Sequence, residues 1–349
     1  MAVVEVDGVV HKIDDGMTVM QALESLGYRI NKFPEDQGLF MPCQTGGCWT
    51  CAVDIDGKQA RACISDVKDG IRIRIRPEDF TPVRLVGGFM GHQIGGVGTP
   101  WWLKGRYIEV ACFTAGCNFV CPQCQNWTFT YMNSGKPMRP EEAASIMTNT
   151  RRIYGVDRLA ISGGECTLNR PWLVEYLQHL KETNPGARLH VDTNGSILTL
   201  DYLDELVNSG MTDIGIDLKA LNLQTFQALT GVEDEVLAEK YLQTAWKAAR
   251  YLIKEHPGVF VGIGIPYNKG LVSLAEIEDM GKMIFDIDPW VQVCVLDYRP
   301  AFKRMDIKRP SYAEMAQVHR LLKDVGLESV LCQTEKGRIG PDGNLLRFG

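Results

Sequence analysis

A parallel α/β sheet wrapped by helices, preceded by a small α+β unit, is the fold class that the sequence predicts. Two patterns carry the prediction. From residue 106 onward, apolar strand-like runs alternate with amphipathic helical segments, the pattern of βα units in a parallel sheet. Residues 1–80 instead place strand pairs around a single helix-like segment. At 349 residues and 45% hydrophobic content, the chain is long enough for a small and a large core. The net charge of -6 is spread with both signs mixed, which leaves no basic footprint for nucleic acid. The N-terminal "MAVVEVDGVVHKIDDG" lacks the basic-then-apolar order of a secretion signal, and no apolar run approaches the roughly 20 residues of a membrane helix. The expectation is a cytoplasmic protein with no membrane partner.

In the first 80 residues, "AVVEV" and "VVHKI" are strands joined at Asp7-Gly8, and "MTVMQALESLGY" has apolar residues at helical spacing. The strand-turn-strand "CAVDIDGKQARAC" and a last strand, "GIRIRIRP", follow. Residues 81–105 hold seven glycines and two prolines, a composition that reads as a linker. Trp101 and Trp102 at its end are expected to pack between the domains. The large domain, 106–349, has candidate strands at 107–112, 158–162, 188–192, 213–217, 259–265 and 291–297. Helical segments such as "EEAASIMTNTRRIY", "PWLVEYLQHLKE" and "VLAEKYLQTAWKAARYLIKE" stand between them. Six βα units fit either a doubly wound sheet or one curled into a barrel, and a curled sheet gathers its functional loops at the strand C-termini.

Of eleven cysteines, seven fall in two tight clusters. In a reducing compartment such clusters read as metal ligands rather than disulfides. Cys117, Cys121 and Cys124 are spaced C-x3-C-x2-C directly after the first strand of the large domain, and three thiolates in one loop suit an iron–sulfur cluster. On a four-iron cluster three cysteines leave one iron open to another ligand. Zinc is the alternative, although a closed zinc site wants four ligands. Cys43, Cys48, Cys51 and Cys63 form a second set, whose first two spacings match plant-type [2Fe–2S] ligation. Zinc would also suit four sulfurs. A cluster with no open iron points to electron transfer. Cys112, Cys294 and Cys332 read as small buried hydrophobes, whereas Cys166 stands beside a candidate ligand loop. The six histidines form no pair at ligand spacing.

The C-x3-C-x2-C loop after the first strand resembles the hallmark of the radical S-adenosylmethionine (radical SAM) superfamily. The resemblance extends over about 106–300 through "SGGECTL" at 162–168, "VDTNGS" at 191–196, "IDLKA" at 216–220 and "GIGIP" at 262–266. Each stretch ends a candidate strand. The resemblance implies a partial (β/α)6 barrel, a [4Fe–4S] cluster on Cys117, Cys121 and Cys124, and SAM chelating the open iron. Gly163 and Gly164 would allow close approach of backbone to a ligand, and Glu165 would hold the SAM amine by resemblance. One electron would enter the cluster and split SAM into methionine and a 5′-deoxyadenosyl radical, which takes hydrogen from a substrate.

"DTNG" and "DLK" most resemble the glycyl-radical-enzyme activating enzymes, such as the pyruvate formate-lyase activator. That match implies SAM contacts at Asp192, Asp217 and Lys219, with a monovalent cation near Asp192, Thr193 and Asp217. Departures are that Val261 and Gly262 stand where an activator-type arginine is expected, and that the sixth strand, "VCVLDYRP", has no histidine. Asp297, Tyr298 and Arg299 at its end either face the site or are plain surface residues. The segment "CQTGGCWTCAVDIDGKQARAC" is similar to the ferredoxin-like [2Fe–2S] domains of succinate dehydrogenase iron–sulfur subunits. It implies a β-grasp domain whose Asp56-Gly57 hairpin returns Cys63 to the cluster. The combined reading is an activating-enzyme-like oxidoreductase acting on a protein or peptide, with the N-terminal domain relaying electrons from a ferredoxin, flavodoxin or reductase. The competing readings are the same radical acting on a small molecule, and an iron–sulfur electron carrier without turnover.

Overall fold

The computed structural model describes residues 1–75 and 80–346. The end of the strand expected over 70–77 lies outside the described residues. In the N-terminal unit, β1 (Ala2–Val6) and β2 (Val9–Ile13) form a hairpin. Its turn residues Asp7 and Gly8 both have positive φ, 45° and 85°, as a tight two-residue turn requires. α1 (Val19–Ser25) starts at a reciprocal cap between Thr18 and Gln21. β3 (Ile30–Asn31) and β4 (Leu39–Phe40) make a short pair, and β5 (Ala52–Ile55) and β6 (Lys58–Arg61) a second hairpin, turned at Asp56-Gly57. β7 (Arg72–Arg74) enters between β1 and β5, giving the order β2-β1-β7-β5-β6. α1 buries Val19, Ala22 and Leu23 against Val4, Val6, Val53 and Ile73 of this mixed sheet, the β-grasp arrangement expected.

The segment expected as a linker is largely structured. β8 (Val86–His92) pairs antiparallel with β9 (Glu109–Thr114) and forms one edge of a second sheet. α2 (Trp127–Thr130) and α3 (Pro140–Tyr154) lead to β10 (Arg158–Gly163). Then come α4 (Arg170–Thr183), β11 (Arg188–Thr193), α5 (Leu200–Asn208), β12 (Asp213–Asp217), α6 (Leu223–Thr230) and α7 (Glu235–Glu255). β13 (Phe260–Tyr267), α8 (Leu274–Ile287), β14 (Gln292–Asp297) and α9 (Tyr312–Asp324) follow, with β15 (Val330–Thr334), β16 (Gly337–Ile339) and β17 (Leu345–Leu346) at the end. The sheet runs in sequence order from β8 to β17, and β9 to β15 are all parallel. Thus a seventh parallel strand, β15, joins the six expected. Its short apolar run has no periodicity that separates strand from buried helix.

Local signals place the helices. α3 has Pro140 in its first turn and ends at Gly155 with φ 63°, the usual start and stop residues. α4 buries Trp172, Leu173, Tyr176, Leu177 and Leu180, one face of an amphipathic helix. Among the described residues no helix is long and apolar enough to cross a membrane.

Residues 95–101 pass across the concave face of the sheet and touch most of its strands. Gly96 N–H donates to Glu109 on β9 (3.0 Å) and Gly98 N–H to Asp192 on β11 (3.4 Å). Gln292 on β14 donates to the Val97 and Thr99 carbonyls, each at 2.9 Å, and accepts from Trp101 N–H at 2.9 Å. Arg338 on β16 donates to Gly95 O at 2.9 Å. A Cβ at Gly262 would run into the Val97 carbonyl, and one at Gly98 into the backbone of β12. Contacts this close need glycine on either side. At Gly262, which with Val261 stands where an activator-type arginine is expected, main chain fills the space a side chain would take. The two tryptophans do not pack between domains. Trp102 sits edge-on to Phe260 at 5.7 Å, at the start of β13, and Trp101 edge-on to Trp102. The domains meet instead through Leu85 N–H to Gly47 O (3.2 Å), Thr50 Oγ1 to Leu168 O (3.1 Å) and the Lys240–Asp36 ion pair (2.7 Å).

Buried charges fix this floor. Arg158 reaches Asp213 at 3.1 Å, and His190 lies between Asp192 (3.0 Å) and Glu109 (3.2 Å). Burial disfavours charged His190, but the two carboxylates raise its pKa to about 10. Burial also opposes charged Glu109, yet His190, Thr99 and Arg158 hold it down to about 2.

Gly262→Ala should lower stability by about 1–3 kcal/mol through forced displacement of residues 97–98. Gly258→Ala, with nothing within 4 Å of its Cβ position, should stay within about 0.5 kcal/mol. Urea denaturation of both variants checks this, and equal midpoints would count against the filling segment as the reason for Gly262. The His190 pKa of about 10 exceeds the unfolded value of about 6.5. Its stabilisation is therefore complete below that lower value and lost as pH climbs to the upper one. Denaturation midpoints should decline between about pH 7 and 10, and His190→Gln should flatten the decline; an unaltered slope in that variant would refute the assignment.

Candidate functional site

The C-terminal ends of β10, β11, β12 and β14, with the loop after β9, line a cavity of about 340 Å³. Cys117, Cys121 and Cys124 enter it from the loop after β9, Gly163 and Gly164 from β10, Asp192 and Thr193 from β11, and Asp217 and Lys219 from β12. Asp297, Tyr298 and Arg299 close the side at β14. The structure thus brings together almost all the sequence-predicted residues of the large domain. Rim residues Gln125, Asn126 and Arg299 are exposed, so the cavity is an open cleft.

The cysteine loop is held from several sides. Gln123 donates to Leu229 O at 2.7 Å and accepts from Arg304 at 2.9 Å. Asn194 donates to Asn118 at 3.1 Å, and Asn118 to Ser196 at 2.8 Å. Phe119 N–H points at Cys117 Sγ (3.4 Å), the kind of donor that stabilises a cluster sulfur. Burial pushes the thiol of Cys117 well up and that of Cys121 up to about 12, and neighbouring sulfurs add to both. These thiols ionise only beside a strong positive charge, which ligated iron supplies. The donor set fits an iron–sulfur cluster on those grounds.

The polar residues differ in what they are free to do. Lys219 donates to Asp217 at 2.7 Å and to Tyr298 Oη at 2.9 Å. Burial works against its charge, but Asp217, Tyr298 and Cys121 more than offset this and raise its pKa well above the ordinary value. Glu165, expected at the SAM amine, is fully buried beneath the cavity. Its Oε1 accepts from Thr167 N–H (3.0 Å), Thr167 Oγ1 (2.7 Å) and Thr193 Oγ1 (2.7 Å), and its Oε2 from Asn194 N–H (2.7 Å). These bonds tie the β10 and β11 loops together, with three donors on Oε1 and one on Oε2. In the monovalent-cation set, Asp192 is paired through Oδ1 with His190, Asp217 through Oδ2 with Lys219, and Thr193 Oγ1 with Glu165. Cys166 is also buried, with Sγ 3.2 Å from Asp192 O, and does not line the cavity.

Gly95, Gly96 and Val97 form part of the lining, as do Cys294, Gln333 and Arg338. Sequence reasoning missed most of these. The glycine density of 81–105 was the one available signal for the first three, whereas nothing in the local sequence marks Gln333 or Arg338.

The four N-terminal cysteines are buried and lie in two close pairs, Cys43 with Cys48 (Sγ–Sγ 3.0 Å) and Cys51 with Cys63 (3.3 Å). Burial pushes Cys48 up, and Cys43, Cys51 and burial push Cys63 up. Four thiols so arranged cannot all ionise without metal charge, so this set also fits a cluster. Among the described residues no three His, Cys, Asp or Glu side chains converge as ligands of a single ion would. A cluster does not require this, since each iron takes its own sulfurs. The two cysteine loops touch through glycine backbone: a Cβ at Gly116 would lie 2.6 Å from Cys48 N, and one at Gly47 would strike Gly116 N.

Comparison with known proteins agrees. The model of the 2Fe–2S iron–sulfur cluster binding domain matches residues 2–77, and that of the radical SAM superfamily matches residues 112–271. A putative glycyl-radical enzyme activating enzyme of Methanocaldococcus jannaschii is 27% identical over 66% of this chain and 91% of its own. A probable GTP 3',8-cyclase of Thermoplasma volcanium is 28% identical over 46% of this chain, which spans about half of the cyclase (47%). An AdoMet-dependent heme synthase of Methanosarcina barkeri is 29% identical over 36% of this chain and 35% of its own. Among solved structures, Streptococcus suis SuiB bound to S-adenosylmethionine is 17% identical, with a TM-score of 0.47 over 66% of this chain and 47% of SuiB. The cofactors that go with these domains are a [2Fe–2S] cluster, a [4Fe–4S] cluster and SAM. With its two cysteine loops in contact and both domain models matched, the chain joins a 2Fe–2S domain to a radical SAM domain.

Proposed function

We propose that the protein is an activating-enzyme-like radical SAM oxidoreductase that takes hydrogen from a protein or peptide, with its N-terminal domain relaying electrons. The carrying observation is the arrangement of the sites: one open cleft gathers Cys117, Cys121 and Cys124 with Gly163, Gly164, Asp192, Asp217 and Lys219, while the Cys48 loop touches it from outside. In this reading the first three cysteines hold the [4Fe–4S] cluster, and Cys43, Cys48, Cys51 and Cys63 hold the [2Fe–2S] cluster. Reductive cleavage of SAM at the [4Fe–4S] cluster supplies a 5′-deoxyadenosyl radical, the hydrogen acceptor of the family.

This chain's own residues do the rest. Gly163 and Gly164 offer main chain that a ligand can approach closely, and the Lys219 ammonium, kept charged by Asp217, is placed to meet a carboxylate. Residues 95–97 close the floor and exclude water from below. Exposed Gln125, Asn126 and Arg299 at the rim leave the cleft accessible to a peptide loop, and the M. jannaschii relative supports the activating-enzyme type. A cytoplasmic setting and a ferredoxin, flavodoxin or reductase donor belong to the same reading. A second reading, a small anionic substrate, is favoured by Lys219, Arg299 and Arg338 around one cavity and by the cyclase-type relatives.

Anaerobic reconstitution with iron and sulfide, then dithionite and SAM, should give 5′-deoxyadenosine. Cys121→Ala should reduce it at least about 100-fold, the usual scale for losing essential machinery, while the [2Fe–2S]+ paramagnetic resonance signal survives; product at the parent rate would sink the site assignment. Cys48→Ser should slow cleavage about tenfold or more with a flavodoxin donor. An unchanged rate with that donor would remove the relay.

A further inference from the structure

Arg84 stands between the two domains and is 0% exposed. Its Nη1 donates to Cys166 O (2.5 Å), and its Nη2 to Ala115 O and Glu165 O (both 3.1 Å). Trp172 covers one face of the guanidinium, 5.6 Å from the ring centroid, and among the described residues the buried Nε has no hydrogen-bond partner. None of the three acceptors is a carboxylate. Arg84 bonds the Glu165 carbonyl rather than its carboxylate, which accepts from Thr167, Thr193 and Asn194. A guanidinium so deeply buried is costly unless negative charge stands close by.

The neighbourhood identifies where that charge would be. Leu85 N–H donates to Gly47 O (3.2 Å), and Asn169 Nδ2 bridges Cys48 O (3.0 Å) and Val83 O (3.1 Å). Arg84 therefore lies where loop 43–51 docks on residues 115–116 and 165–168. Burial pushes its pKa down, and an ionised Cys48 is the strongest influence in the other direction, ahead of Cys166, Tyr202 and Glu165.

We infer that Arg84 is the buried counter-charge of the N-terminal cysteine set: a positioning residue that docks loop 43–51 on the radical SAM domain and raises the reduction potential there. This rests on the proposed [2Fe–2S] assignment. A fixed positive charge favours uptake of one electron from an external reductant, because the added negative charge appears beside it.

The test is a mediated anaerobic redox titration of the full chain, followed by paramagnetic resonance. Arg84→Gln keeps N–H donors and loses the charge; Arg84→Lys keeps the charge and loses the fork. The one-electron reduction equilibrium should shift at least about tenfold toward the oxidised form in the Gln variant, a midpoint about 59 mV lower, and stay near the parent in the Lys variant. Equal midpoints in the parent and the Gln variant would overturn the inference, as would equal shifts in both variants. If the Gln variant fails to assemble its clusters and the Lys variant succeeds, the charge is needed for docking and the inference stands; failure of both makes the role geometric and overturns it. A parent protein with no [2Fe–2S]+ signal would instead remove the underlying assignment.

Discussion

The large domain is organised around a length of main chain that fills the concave face of its parallel sheet. Barrel interiors are ordinarily packed by layers of side chains. Here residues 95–101 lie across β9 to β16, pinned by Glu109, Asp192, Gln292 and Arg338. Backbone groups in an interior must be hydrogen-bonded, and these four side chains, together with Arg158, supply partners. The glycines on the segment and on the strands facing it keep the approach close enough to work. The same segment is the floor of the cleft, so the shape of the cavity and the stability of the sheet share one cause.

Buried charge is treated in two ways. At the floor, Arg158, His190, Glu109 and Asp213 are paired directly, and each member would be costly without the others. Nearer the cleft, Glu165 is surrounded by hydroxyl and N–H donors and Arg84 by carbonyls, so neither is neutralised by contact. Such charges stay available to act on nearby groups through a medium that screens weakly. Both border the contact between the two cysteine loops.

That contact gives the two-domain organisation its chemical meaning. The four-sulfur set is buried, with Cys48 at the domain junction and Cys51 and Cys63 in the N-terminal core, while the three-sulfur set opens onto the cleft. One loop is closed to outside molecules and the other is exposed to them. Glycine at 47 and 116 removes the side chains that would hold the loops apart. The relatives carry quite different names, from activating enzyme to cyclase to heme synthase, as expected where shared machinery meets different substrates.

The sequence by itself determined the two domains, the six expected strands, both cysteine sets and the loops that converge on the cleft. These are local signals: spacing within a loop, and apolar periodicity within a strand or helix, survive without knowledge of the fold. Tertiary structure alone decided where the Gly-rich stretch goes, since glycine permits a path without specifying one. It also surrounded the Glu165 carboxylate with Thr167, Thr193 and Asn194, contacts that its place in the motif does not reveal. Arg338 and Gln333 reach the cleft from a terminal hairpin, and Arg84 reaches the junction from a segment that read as linker. Each depends on contacts between residues far apart in the chain, and no local pattern encodes those.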